Sequence, residues 1–200
     1  MRSFLNTIRW SWRLARVVTF LLAWGVFGSA AAGAELIYIV ALGASGIHGK
    51  GVALSEAFPA QLEKMLRADG FNVQVNNAGV DGDTTAGMLF RMDSAIPPGT
   101  KITIVQPGGN DFRSRRHGLS VEQHLANVET IVSRLRAQRI QVVLCGDDEA
   151  QAALAQRYDA VSLSCSDRSH LLDGEHLDPV GHRIVAARLL PVIEGMLPRR

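Results

Sequence analysis

The chain alternates between short apolar runs and longer stretches in which apolar residues recur every three or four positions. The sharpest short run is Ile37-Tyr38-Ile39-Val40-Ala41-Leu42, rich in β-branched and aromatic types, which predicts a strand buried on both faces. Gly43 and Gly46 flank Ala44 and Ser45 and predict a tight turn off its end. Residues 47–54 read as a glycine-containing loop. A helix follows, with Pro59 in its first turn, Leu62, Met65 and Leu66 on one face, and Gly70 at its end. Residues 71–76 alternate like a strand and residues 77–82 read as a loop. Asp83 is the expected N-cap of a helix carrying Met88, Leu89 and Met92, which Pro97-Pro98-Gly99 breaks.

The second half repeats the alternation. Residues 101–105 predict a third strand, followed by the loop Gly108-Gly109-Asn110-Asp111. Ser120-Val121-Glu122-Gln123 has the form of a capping box. The helix it opens presents Leu125, Val128, Ile131, Val132 and Leu135 to a core. A strand over 141–145, a short helix over 149–157 and a weaker strand over 160–163 come next. Asp178-Pro179 then starts a final helix carrying Ile184, Val185, Leu189, Leu190, Val192 and Ile193. Strands that alternate with helices predict a central, mainly parallel five-stranded sheet covered on both faces, a three-layer α/β/α sandwich.

Length adds that 200 residues suit one domain, and the first 34 do not belong to it. Arg2, Arg9, Arg13 and Arg16 precede an almost wholly apolar run over 17–27, and Ala32-Gly33-Ala34 supplies small residues for a peptidase. This is the layout of a secretory signal peptide cleaved after Ala34, leaving a domain over 35–200. Retention as an uncleaved anchor is the rival, although the run is short for a membrane span. Removing the leader leaves 17 basic residues against 19 acidic ones, so the positive charge of the whole chain is a targeting feature. It gives no support to nucleic-acid binding, and no stable membrane span is expected once the leader is gone. Cys145 and Cys165 each end a predicted strand. Export would permit a disulfide, and two buried thiols are the other reading. Oligomeric state is not encoded in any pattern here.

Four of the predicted loops follow strands and fall on the same carboxyl edge of such a sheet, where ligands of open α/β folds bind. They carry Ser45, Gly79, Asn110 and the run Asp173-Gly174-Glu175-His176. Acyl transfer needs a nucleophile, a base, a group to orient that base, and donors for an oxyanion. Ser45 can attack, His176 can take its proton, and Asp173 can hold the imidazole. The N–H groups of Ser45 and Gly79 and the amide of Asn110 can face the oxyanion. Taken alone, Ser45 reads first as an ordinary loop serine that caps the next helix.

In order and spacing, Gly43-Ala44-Ser45, Gly79, Gly108-Gly109-Asn110-Asp111 and Asp173-Gly174-Glu175-His176 resemble the four sequence blocks of the SGNH (GDSL-type) serine hydrolases. The stretch from Asn77 to Gly87 resembles the branch containing secreted thioesterase I, lysophospholipase and arylesterase enzymes. The resemblance covers about Ile37 to the final helix. It implies the flavodoxin-like SGNH hydrolase fold and an exported esterase acting on small to medium acyl esters or thioesters, with no metal or cofactor. It further implies Ser45, Asp173 and His176 as catalytic triad and Ser45, Gly79 and Asn110 as the oxyanion hole. A carbohydrate O-deacetylase on the same fold, or a weakly active or non-catalytic binder of acyl or glycan ligands, are the alternatives.

The chain departs from the family at Ala44 and Gly46, where the family usually has Asp and Leu. An aspartate at 44 would accept hydrogen bonds from loop amides, with Asp81 or Asp111 as conceivable stand-ins. On the sequence, Ala44→Asp is expected to raise activity. The segment between Cys145 and Asp173 is also short, which suggests an open acyl site. Asp111 reads as a loop-bracing carboxylate and His182 as structural. Arg113, Arg115, Arg116 and His117 read as a solvated basic cluster. The remaining histidines have no metal-ligand spacing. Ile47 excludes the Gly-x-Ser-x-Gly elbow of the α/β-hydrolases.

Overall fold

The structure, a computed structural model, describes residues 35–113 and 118–198. Residues 1–34, read above as a leader, and the basic residues 115–117 lie outside the described residues. Five strands form one parallel sheet: β1 (Ile37–Gly43), β2 (Val73–Gly79), β3 (Thr100–Gln106), β4 (Gln141–Cys145) and β5 (Val161–Leu163). Their order is β2-β1-β3-β4-β5. The chain leaves β1 for β2 on one side and returns to β3 on the other. The carboxyl end of β1 is therefore the topological switch point, where the crossover connections diverge and open a crevice.

The period of two along β1 divides the core. Ile39 and Ala41 face Phe58, Leu62, Val185 and Leu189, which come from α2 (Phe58–Ala68) and α6 (Pro179–Met196). Val40 and Leu42 face Met88, Val128 and Leu154, from α3 (Thr85–Ala95), α4 (Val121–Ala137) and α5 (Glu149–Arg157). Helices thus cover both faces, giving the three-layer sandwich. Each fully buried side chain such as Phe58 or Leu62 contributes about 2 kcal/mol of hydrophobic stabilisation. Among the described residues, no helix is long and apolar enough to cross a membrane.

Several boundaries differ from the sequence reading for local reasons. The segment after Ser45 opens with one helical turn, α1 (Ser45–His48), before the loop begins. β2 starts at Val73 and runs on through Asn76, Asn77 and Ala78, residues read as the end of a strand and a loop. It is an edge strand, so polar side chains can stand off the sheet while its backbone stays paired with β1 as far as Gly43 opposite Gly79. The cap of α3 is Thr84, whose side chain accepts from the Gly87 N–H at 3.1 Å. Asp83 instead accepts from Arg91 Nε at 2.7 Å and from the Thr84 N–H. The capping box at Ser120 forms with both of its bonds.

Cys145 and Cys165 are joined in a disulfide, with Cα atoms 5.2 Å apart. It ties the end of β4 to the segment beyond β5. His182 is buried and accepts the Phe58 N–H at 3.2 Å through Nδ1, linking α6 to α2. Burial pushes its imidazole below the usual histidine range, against the pull of Asp178 and Glu56, so it serves as a neutral acceptor.

Candidate active site

Ser45 is the first residue of α1, so its N–H has no carbonyl one turn behind it to bond. The turn is held from two sides. Gly43 C=O accepts from the Val80 N–H at 3.1 Å and from Arg91 at 3.0 Å. Asn77 reaches across from β2 and donates its amide to Ile47 C=O at 2.8 Å and His48 C=O at 3.3 Å. The short helix carrying Ser45 is therefore clamped to the neighbouring strand.

His176 comes from the loop before α6. That loop doubles back on itself through a bridge between Leu171 and Leu177, and Gly174 makes its turn at a φ of +82°. His176 Nε2 lies 3.0 Å from Ser45 Oγ, and His176 Nδ1 lies 2.7 Å from Asp173 Oδ2. The two carboxylate oxygens of Asp173 have separate partners. Oδ1 accepts the N–H groups of His176 and Glu175 at 2.8 and 3.0 Å, while Oδ2 faces the imidazole. The His176 N–H, the imidazole and the Glu175 N–H hold the Asp173 carboxyl well below the usual carboxylate range. It stays ionised at any working pH, although it is half exposed.

Asn110 stands in a 3-10 turn over Gly109–Phe112 and lines a cleft of about 220 Å³ together with Ser45 and His176. One of its amide hydrogens goes to Asp83 C=O at 2.8 Å, which leaves the other for a ligand. Asp111 is buried and accepts from the Thr85 N–H, the Thr85 hydroxyl and His124, at 2.8, 2.7 and 2.6 Å. It braces the loop, as the sequence suggested. Gly79 stands apart from this cleft's lining, and its N–H is donated to Asn77 Oδ1 at 3.0 Å. It reaches an oxyanion only by sharing that hydrogen. Position 79 must be glycine, because a Cβ there would sit 2.2 Å from the His48 amide nitrogen and a side chain is refused by α1 itself.

Sequence reasoning missed Asn77 and Arg91, whose partners include main-chain groups far along the chain, and Gln106, which lines the cleft. Only the family-like stretch from Asn77 hinted at the first. Arg113 pairs with Glu175 at 2.9 Å, linking the Asn110 turn to the His176 loop instead of belonging only to a solvated cluster. Outside the cleft, Asp81 pairs with exposed His48 at 2.8 Å.

The packing at Ala44 weighs against the expectation set by the family's aspartate. Ala44 is only 4% exposed and packs in the core with Val40, Leu42 and Met88. A Cβ on Gly108 would already stand 3.2 Å from the Ala44 Cβ. Asp81 and Asp111 are engaged elsewhere and do not stand in for a carboxylate. A carboxylate at 44 would thus crowd the apolar packing on one side of the turn and the floor of the cleft on the other, at a cost of about 2 kcal/mol. Ala44→Asp is expected to lower the melting temperature by about 6 °C and kcat/KM by about 10-fold. Thermal denaturation and ester hydrolysis on the same sample check this; a gain in rate would restore the sequence expectation.

Residues 41–173 match the sequence signature of the GDSL-like lipase/acylhydrolase family. Over 97 residues the chain is 30% identical to Esterase TesA of Pseudomonas aeruginosa, covering 48% of this chain and 47% of that protein. That match spans about half of the relative's length. Among solved structures, AlinE4, an SGNH-hydrolase family esterase, is 30% identical with a TM-score of 0.61, covering 82% of this chain and 98% of its own. A crystal structure of TesA gives a TM-score of 0.71 at 22% identity, over 80% of this chain and 99% of that one, a likeness of fold.

Proposed function

The chain belongs to the GDSL-like lipase/acylhydrolase family, and from that premise we propose that it is an exported serine esterase hydrolysing small to medium acyl esters or thioesters. The observation that carries the proposal is the relay of Ser45 Oγ, His176 Nε2, His176 Nδ1 and Asp173 Oδ2, with steps of 3.0 and 2.7 Å. Ser45 Oγ attacks the carbonyl carbon while His176 Nε2 takes its proton. Asp173 keeps the Nδ1 hydrogen on its own side and steadies the imidazolium. The Ser45 N–H and the free amide hydrogen of Asn110 face the developing oxyanion, with Gly79 as a third donor when it shares its bond to Asn77. His176 returns the proton to the leaving oxygen or sulfur. Water, activated by the same imidazole, then releases the acid from Ser45.

Turnover of 4-nitrophenyl acetate and of an acetyl thioester by the purified chain tests this reading. Hydrolysis of the ester with release of acetate is the expected result, and no turnover of either would overturn it.

Export is supported by the leader-like residues 1–34 and by the Cys145–Cys165 disulfide, which suits an oxidising compartment. Intact-mass measurement on protein recovered from producing cells is expected to show loss of residues 1–34 and a mass two hydrogens below the dithiol form. A full-length species held in the membrane would favour the anchor reading instead.

A further inference from the structure

Asp83 precedes the cap of α3, and Arg91 follows it by 8 residues in the same helix. Side chains on a helix lean toward its N-terminus, so a long one at 91 can run back to the start of α3. Arg91 does so. Its Nε donates to Asp83 Oδ2 at 2.7 Å, and its Nη2 donates to Gly43 C=O at 3.0 Å. The other carboxylate oxygen of Asp83 accepts the Thr84 N–H at 2.9 Å. Glycine at 87 makes room for this fold-back, because a Cβ there would overlap Asp83 Oδ1. The Arg91 and Asp83 side chains are only 20% and 10% exposed, which sets this pair apart from the solvated one of Arg113 and Glu175.

The two acceptors belong to opposite sides of the catalytic cleft. Gly43 ends β1, two residues before Ser45. Asp83 holds the other side through its main chain, since its C=O accepts one amide hydrogen of Asn110 at 2.8 Å. That bond fixes the plane of the amide and so the direction of the hydrogen left for an oxyanion. One guanidinium therefore joins the turn that carries the nucleophile to the residue that aims a donor. Neither Arg91 nor Asp83 lines the cleft with Ser45 and Asn110, so any effect on the reaction passes through those two. Arginine suits the task because its planar fork serves two acceptors in fixed directions, whereas a lysine ammonium is a single point charge. The end of β1 does not depend on Arg91 alone, because Gly43 C=O also accepts the Val80 N–H.

Resting on the esterase reading above, we propose that Arg91 is a positioning residue: through Asp83 and Gly43 it sets the spacing between the Asn110 amide and Ser45. An oxyanion donor acts on charge that develops only in the transition state. Letting it drift costs kcat and leaves substrate binding nearly untouched. A residue that merely stabilised α3 would lower the melting temperature and would act equally with or without Asn110.

The test is a double-mutant cycle on the full chain, with 4-nitrophenyl acetate as substrate. Arg91→Met is expected to lower kcat about 30-fold with KM within about 2-fold of native. In an Asn110→Ala background the same substitution is expected to cost about 3-fold or less, because the donor it positions is already gone. Arg91→Lys keeps a cation beside Asp83 but cannot serve both acceptors. It carries the same cycle if the methionine variant does not fold, with an expected loss of about 10-fold that shrinks to about 2-fold without Asn110. A kcat within about 2-fold of native in the folded Arg91 variant, or an equal loss in both backgrounds, overturns the inference. Fluorophosphonate labelling of Ser45 in the native chain leaves the esterase reading standing in that event. Absence of labelling and of all ester turnover in the native chain overturns both.

Discussion

Ser45→Ala is expected to reduce ester turnover on the order of 10⁵-fold while leaving the melting temperature within about a degree. The asymmetry follows from what Oγ touches. Its hydrogen bond is to His176 Nε2, and the side chain sits at the mouth of a cleft, so removing it opens no cavity in the core. The turn that carries it is held by main-chain groups of Gly43 and Ala44 and by the Asn77 amide, none of which the hydroxyl supports. On the proposed mechanism what is lost is the nucleophile, and the Asn110 amide does not replace it. Turnover measured against a no-enzyme control, with denaturation curves on the same samples, checks the prediction. Undiminished turnover would move the chemistry away from this cleft.

Asp173→Asn is expected to lower kcat about 10³-fold with little change in KM, somewhat less than for a fully enclosed triad carboxylate because water reaches this one. The two oxygens of Asp173 divide their tasks, and that division makes the variant informative. An asparagine oxygen in the place of Oδ1 still accepts the His176 and Glu175 N–H groups, so the loop keeps its shape. Its NH2 in the place of Oδ2 donates toward Nδ1 and drives the imidazole proton to Nε2. His176 then has no lone pair for the Ser45 proton. The same residue fixes the reading of the pH profile. The Asp173 carboxyl is held far below its ordinary range by the His176 N–H, the imidazole and the Glu175 N–H. It therefore carries its charge at every pH at which the protein would be assayed. Loss of rate on acidification reports protonation of a histidine base. A rate independent of pH from acid to mildly alkaline conditions would contradict such a base.

The parts of the molecule legible in the sequence are those set by local patterns. β4 over 141–145 and α5 over 149–157 follow directly from an apolar run and an amphipathic repeat. The capping box at Ser120 is a three-residue interaction and is visible as such. The loops that bring Ser45, Asn110 and His176 together are legible because strand-helix alternation puts every strand's carboxyl end on one edge. What escaped depends on long-range neighbours. β2 continues through Asn77, Ala78 and Gly79 because β1 offers it a partner, a fact absent from its own composition. The disulfide follows from β4 and β5 lying side by side, with Cys145 opposite Leu163 in the register and Cys165 two residues on. Ala44 reads as a defect in a family pattern until its packing against Gly108 and the core is seen. Gly46 reads as looseness until Gln106 is seen filling its place.

If Ser45, made nucleophilic by His176, carries the chemistry, a covalent probe of the nucleophile finds it. The full chain is treated with a fluorophosphonate, digested, and the modified peptide sequenced by mass spectrometry. One adduct is expected, on Ser45, formed rapidly in the native protein, slowly in Asp173→Asn and not at all after heat denaturation. Labelling at another residue, or none in a folded sample, would contradict it.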